Sequence, residues 1–149
     1  MSSAFRLDID ASQLGDLVRD LKTLQGGKKQ VAALRKSLKA AAEPAAAQVR
    51  SNASWSSRIP AAVAVRVAFT AKKGAGVSVF VSRTKAPHAR PFENSGSGGS
   101  FEHFTWGKKP VVTQAARPFF FHELDATMPA VEKAATAAID EAARAAGFR

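Results

Sequence analysis

Residues 59–81 have the sequence IPAAVAVRVAFTAKKGAGVSVFV, and this stretch decides the fold class. Apolar side chains recur at every second position from Ile59 to Phe69, and the same period returns from Val77 to Val81. A period of two is typical of a strand with one buried face. The five residues 72–76, rich in lysine and glycine, have the composition of a turn. The pattern therefore predicts a β-hairpin of two antiparallel strands.

A short strand and a first helix are predicted before the hairpin. Residues 5–10 alternate apolar and polar side chains, as a half-buried strand does. Ser12 is a candidate N-cap for a helix that ends at Gly26 and Gly27. The apolar side chains that share one face of this helix are Leu14, Leu17, Val18, Leu21 and Leu24.

A second helix is predicted from Lys28 to Arg50. Its apolar stripe comprises Val31, Leu34, Leu38, Ala41, Ala45 and Val49. Pro44 is expected to kink or split this helix, because proline lacks a backbone donor and clashes with the preceding turn. The polar residues 51–58, which surround Trp55, are predicted to form a loop.

The segment 84–118 is predicted to be a long, irregular loop. It contains four prolines and a glycine-serine tract, and only residues 101–106 and 111–115 have the composition of short strands. A connection of this length without clear structure is usually either functional or disordered.

A final helix is predicted over residues 119–146. Pro129 is expected to separate an introductory turn from the main helix, with Thr127 or Met128 near the new cap. The complete pattern predicts a single α+β domain over residues 1–149. In this domain an antiparallel sheet is built on the central hairpin, and the N-terminal helices and the long C-terminal helix pack on it.

Composition excludes several classes of chemistry. The 149 residues include no cysteine, so disulfides, thiolate metal sites and cysteine nucleophiles are excluded. No apolar run approaches the roughly 20 residues that cross a bilayer. The three histidines lack metal-ligand spacing, and the glycine-serine tract of residues 96–100 lacks the lysine of a phosphate loop. We therefore expect a protein without catalytic residues, metal or cofactor, and without membrane contact.

Nucleic-acid binding is the main alternative function. The net charge is +10, and residues 59–118 carry nine Lys and Arg against two Asp and Glu, whereas residues 119–149 carry three against five. Basic side chains can contact phosphates, and the aromatic side chains that could stack on bases are Trp55, Phe92, Phe101, Phe104 and Trp106. The same charge distribution equally allows copies of the chain to pair, basic segment to acidic segment.

Three consecutive aromatic residues, Phe119 to Phe121, precede the last helix. Successive residues of a helix turn by about 100°, so three in a row cannot all face one core. At least one of these rings is expected to face outward unless another surface covers it, which favours an interface. The alternative is a pocket beneath the long loop.

Three segments resemble motifs of a bacteriophage family of tail-completion or head–tail joining proteins. Residues 86–96 (APHARPFENSG) resemble its central motif, and residues 101–107 (FEHFTWG) resemble its His-Pro-x-x-Gly turn, with Phe104 where proline is usual. Residues 114–119 (QAARPF) resemble the approach to its last helix. The resemblance covers most of residues 28–147. It departs before the hairpin, where residues 54–58 (SWSSR) replace a common Pro-x-Arg-Thr-Gly stretch.

The resemblance implies a structural subunit of a homo-oligomeric ring at the head–tail junction of a long-tailed phage. Tail completion or tail termination is the expected role, and a head-closure (stopper) ring is the alternative within the same neck. The protein would be assembled in the bacterial cytoplasm, reside in the virion, contact neck and tail-tube proteins, and touch DNA in the channel without specificity. The expected interface residues are His88, Arg90, Phe92, Glu93, Trp106, Arg117, Phe119 and Phe120.

Because loop residues commonly carry function on a stable scaffold, Arg117→Ala and Phe92→Ala are both expected to damage assembly more than folding.

Overall fold

The computed structural model describes residues 3–10, 14–70, 75–94, 99–104 and 111–148. The strands in this part of the chain are β1 (Ser3–Asp10), β2 (Val63–Ala68), β3 (Gly76–Ser82), β4 (Ser100–Phe104) and β5 (Val111–Ala115). The helices are α1 (Leu14–Thr23), α2 (Gly27–Asn52), α3 (Arg58–Ala62), α4 (Ala89–Asn94), α5 (Phe121–Leu124) and α6 (Met128–Ala145).

The predicted hairpin, formed by β2 and β3, belongs to a three-stranded antiparallel sheet of order β1-β3-β2. Val65 of β2 and Leu7 of β1 both pair with Val79 of β3, so β3 is the central strand. The N-terminal strand and the β2–β3 hairpin are thus confirmed. The turn residues 71–74 and the proposed cap Ser12 lie outside the described residues.

Helix α2 connects the sheet to the other helices. It packs against β2 and β3, while α1 and α6 pack against α2. The buried core includes Leu34 and Leu38 of α2, Val77 and Val81 of β3, and Val131 of α6. Helices covering an antiparallel sheet make this an α+β fold, as predicted. Among the described helices, none combines the length and the apolar character needed to span a bilayer.

Two glycines allow the tight connection between α1 and α2. Gly26 has a φ of 79°, in the left-handed region that glycine adopts without steric cost. At Gly27 an added Cβ would lie 1.9 Å from the carbonyl oxygen of Leu21, so no side chain fits there. The pair was predicted to end the first helix, but α1 already ends at Thr23, and Gly26 is the N-cap and Gly27 the first residue of α2.

The predicted split of α2 and the predicted start of β2 are wrong. Pro44 does not split α2, which continues from Gly27 to Asn52. Pro44 is exposed, so the carbonyl that loses its helical donor can be hydrated, and buried alanines on the opposite face hold the helix in place. The strand begins at Val63 rather than Ile59, because residues 58–62 form α3. Pro60 lies in the first turn of this helix, where no backbone donor is required.

The segment 84–118 is more regular than predicted. Residues 89–94 form α4, and β4 and β5 pair as a separate two-stranded antiparallel sheet. The two short strands of this segment are confirmed, although residues 105–110 lie outside the described residues.

The C-terminal helical region is divided into α5 and α6, as predicted from the position of Pro129. Helix α5 ends at Leu124, Thr127 is the N-cap of α6, and Pro129 occupies its first turn.

Candidate interface site

A buried carboxylate joins two of the segments singled out in the sequence. Glu93 of α4 is only 9% exposed. Its Oε2 accepts hydrogen bonds from the backbone N–H groups of Phe119 at 2.7 Å and Phe120 at 3.0 Å. Its Oε1 accepts a third from the N–H of Phe121 at 3.0 Å. We call this arrangement the Glu93 clamp.

The clamp satisfies backbone donors at the start of α5. Phe119 and Phe120 precede α5 and Phe121 begins it, and a helix supplies no internal acceptor for N–H groups at its start. Hydrogen bonds to a charged acceptor each contribute about 1.5–3 kcal/mol. Glu93 therefore attaches the last helical region to α4 across 26 residues of chain.

An aromatic cluster surrounds the clamp. The ring of Trp55 lies 4.6 Å from that of Phe92 and 6.2 Å from that of Phe119, measured between centroids. Phe101 of β4 contacts Phe92 edge to face at 5.0 Å. Phe92 is 6% exposed and Phe119 is fully buried. This packing attaches the base of the β4–β5 sheet to the subunit.

Arg117 lies on the outer side of this cluster. Its backbone N–H donates to the carbonyl of Phe92 at 3.2 Å, and its guanidinium lies 5.4 Å from the centroid of Trp55. The Arg117 side chain is exposed, as is that of Arg90. Both cations are accessible to a partner, while the Arg117 backbone stabilises the subunit.

A cleft of about 310 Å³ opens between α4 and the β4–β5 sheet. It is lined by His88, Phe92, Phe101 and His103, together with Glu102. Although two imidazoles and a carboxylate line it, no three histidine or acidic side chains within the described ranges converge as metal ligands. The cleft is thus an aromatic and polar recess beside the β4–β5 sheet.

The environment of His88 in this cleft changes the acidity of its imidazole. Burial of the imidazole, and to a lesser extent the positive charge of Arg58, hold the pKa of His88 below its ordinary value of about 6.5. The neutral form is therefore favoured in the folded protein.

This shift predicts a loss of stability in mild acid. As the pH falls below about 6.5, the unfolded chain binds a proton at residue 88 before the folded chain does, so the free energy of unfolding should decrease. We expect His88→Gln to remove that part of the decrease. Urea unfolding of both proteins at several pH values tests this, and identical pH dependence in the two proteins would contradict it.

The β4–β5 sheet projects from the subunit. Every residue of β5 is exposed, including Val111 at 49% and Val112 at 37%. Within the described part of the chain, β4 and β5 contact each other extensively and contact other elements only slightly. A two-stranded sheet by itself is at best marginally stable in water. Its apolar side chains are therefore available to an external surface.

The structure changes the assignment of four predicted interface residues. The side chains of Phe92, Glu93, Phe119 and Phe120 are buried within the chain itself, so they cannot serve as exposed anchors in this conformation. The Phe119–Phe121 run leaves only its third ring outward, with Phe121 45% exposed. The first two rings can both enter the core because Phe119 and Phe120 precede α5, which begins at Phe121, so the rotation of about 100° per residue of a continuous helix does not separate them.

The remaining predicted interface residues have different environments. Arg90 and Arg117 are exposed and His88 is half-buried, whereas Trp106 lies outside the described residues. The aromatic side chains considered as stacking platforms for nucleic acid are not free for that role where they are described, because Trp55, Phe92 and Phe101 pack on one another.

Sequence reasoning did not identify Trp55 as the centre of the cluster or Val111 and Val112 as an exposed pair. Trp55 is far from its contacts along the chain, and alternation alone does not reveal which strand lacks a covering layer.

The chain matches no family model, and neither a curated protein nor a solved structure shows significant similarity to it.

Proposed function

We propose that this chain is a structural protein of a long-tailed bacteriophage, one subunit of a homo-oligomeric ring at the head–tail junction. Tail completion or tail termination is the proposed role, with neck and tail-tube proteins as neighbours. The subunits would be made in the bacterial cytoplasm and retained in the virion. The role is one of assembly, and no catalytic step belongs to it.

The exposed β4–β5 sheet is the observation that carries the proposal. The Glu93 clamp and the aromatic cluster stabilise its base, yet every residue of β5 is exposed, including the apolar side chains of Val111 and Val112. A sheet held in a fixed place and left uncovered is suited to pairing with an adjacent subunit or ring.

The resemblance of residues 86–96 and 114–119 to phage neck motifs supports the phage assignment. The Glu93 clamp links these two segments directly, since Glu93 belongs to the first and Phe119 to the second. A physical link explains why the two motifs would occur together. The two segments support the β4–β5 sheet, which lies between them in the sequence, and both resemble motifs of a ring-forming family.

The direct test is the protein composition and imaging of purified virions of the phage that encodes the chain. We expect the protein in mature particles at a constant copy number, with labelled antibody at the neck. Absence from the virion, or uniform labelling of the capsid, would overturn the proposal.

Replacement of Val112 by serine is expected to impair assembly without changing the fold. The side chain is 37% exposed, so its loss costs the subunit little, whereas an interface anchor contributes about 2 kcal/mol, roughly 30-fold in affinity per contact. The measurement is the yield of joined head–tail particles beside the thermal melting profile.

Leu24→Ser is the matched control, because Leu24 is also 37% exposed but lies near the end of α1. Arg117→Ala is a second test of the same surface and should also keep a near-wild-type melting profile. If Val112→Ser and Leu24→Ser give equal yields of joined particles, the β4–β5 sheet is not the interface.

A further inference from the structure

A second concave surface lies on a different part of the subunit, where α1, α2 and β2 meet. This cleft has a volume of about 510 Å³, and its lining includes Lys22 of α1, Arg35 of α2 and Arg66 of β2. Phe69 and Thr70, which follow β2, complete its rim. Three elements thus each direct one cation to the same recess, which we call the basic cleft.

Arg35 is held in a defined orientation in this cleft. Its Nη1 donates to the carbonyl oxygen of Val67 at 2.9 Å, and its guanidinium lies 4.5 Å from the centroid of the Phe69 ring. A guanidinium has five N–H donors, so several remain for another acceptor. A planar donor group fixed in advance loses little conformational freedom when it binds an anion.

Within the part of the chain that the structure describes, no acidic side chain neutralises the positive charge of the basic cleft. No Asp or Glu is among its lining residues, and none of its three cations forms an ion pair within the described part of the chain. The acidic residues of α1, Asp16 and Asp20, pair with Arg19 instead. The cleft therefore attracts an external anion.

We propose that the basic cleft binds phosphate groups of a nucleic-acid backbone without reading sequence. Lys, Arg and Thr side chains are common donors to backbone phosphates, and all three types line the cleft. Arg35 already covers the Phe69 ring, so this ring does not serve as a platform for a base. The proposal stands on the cleft alone and does not depend on the ring assignment.

A second copy of the chain is a poorer occupant. Helix α6 carries most of the acidic residues of the C-terminal segment, but Glu132, Asp140 and Glu141 are interspersed with Lys133 and Arg144. The cations of α6 would be repelled by the cleft. A nucleic-acid backbone carries one charge per phosphate and no cation, and the net charge of +10 favours its approach.

The test is fluorescence anisotropy with a labelled duplex of about 30 base pairs, in two unrelated sequences, across a salt series from about 50 to 200 mM. The wild-type protein should bind both duplexes equally. Lys22→Gln/Arg66→Gln, which leaves the Arg35 contacts intact, should weaken binding at least tenfold at the lowest salt. It should also lower the salt slope by about 1.8, the value for two lost phosphate contacts.

Lys36→Gln/Lys39→Gln is the matched control, because it removes the same charge from exposed positions of α2 outside the cleft. It should reduce affinity less than threefold. Equal losses in the two double variants, or no duplex binding at the lowest salt, would overturn the proposal. Tighter binding of polyglutamate than of duplex would also overturn it and assign the cleft to an acidic protein. Thermal melting of each variant ensures that only folded protein is compared.

Discussion

Glu93→Gln is expected to lower the free energy of unfolding by at least about 3 kcal/mol, because it removes the charge from an acceptor of three backbone hydrogen bonds. A glutamine retains one carbonyl oxygen, but its amide nitrogen is a donor. Depending on its orientation, the amide nitrogen would therefore face either the N–H of Phe121 or the N–H groups of Phe119 and Phe120. At least one donor would lose its acceptor in a largely buried site.

Urea unfolding at neutral pH measures this effect, and Glu102→Gln is the control. Glu102 lies on the neighbouring β4 strand but is exposed, so the same chemical change there should alter stability by less than about 0.5 kcal/mol. If Glu93→Gln and Glu102→Gln unfold alike, the clamp contributes no stability. Amide hydrogen exchange at residues 119–121 gives a second readout, since these amides should lose protection in Glu93→Gln.

Phe92→Ala is expected to destabilise the subunit by about 3–5 kcal/mol, the usual cost of removing a buried phenylalanine. The ring is 6% exposed and contacts Trp55, His88 and Phe101. Its removal leaves a cavity and detaches the β4–β5 sheet from the core. This reverses the expectation from sequence that Phe92→Ala would spare folding, because the side chain is buried within its own subunit.

Thermal and urea unfolding test this prediction, with Phe121→Ala as the matched control. Phe121 is 45% exposed, so truncation of the same ring there should cost far less stability. The fluorescence of Trp55 should also change in Phe92→Ala, since its nearest aromatic contact is lost. A near-wild-type melting profile for Phe92→Ala, combined with lost assembly, would restore the original expectation.

These two variants distinguish residues that hold the β4–β5 sheet in place from residues that form its exposed surface. Glu93 and Phe92 act within the subunit, and their replacement should reduce assembly only as far as it reduces the folded fraction. Val112 acts outside the subunit, and its replacement should reduce assembly at a constant folded fraction. The ratio of joined particles to folded protein distinguishes the two cases.

Local patterns in the sequence were sufficient to predict much of the fold. The period of two from Val63 to Val67 and from Val77 to Val81 predicted the central hairpin, because each apolar side chain on one face of a strand has to be buried. Helices α1 and α6 were predicted from their apolar stripes, and Pro129 marked the start of α6 because its missing donor is harmless there. In each case the physical cause acts within a few residues along the chain.

The sequence by itself therefore determined the fold class, the central hairpin and the excess of positive charge. Only the tertiary structure decided which of the polar and aromatic residues between 84 and 121 are buried. Glu93 meets the Phe119 backbone across 26 residues, and Phe92 meets Trp55 across 37, so no local period reports either contact. Pro87 and Pro91 indicated a loop, but α4 forms there. Pro87 precedes this helix, and Pro91 lies in its first turn, where a proline removes no hydrogen bond. The basic cleft likewise exists only because folding brings Lys22, Arg35 and Arg66 together from three separate elements.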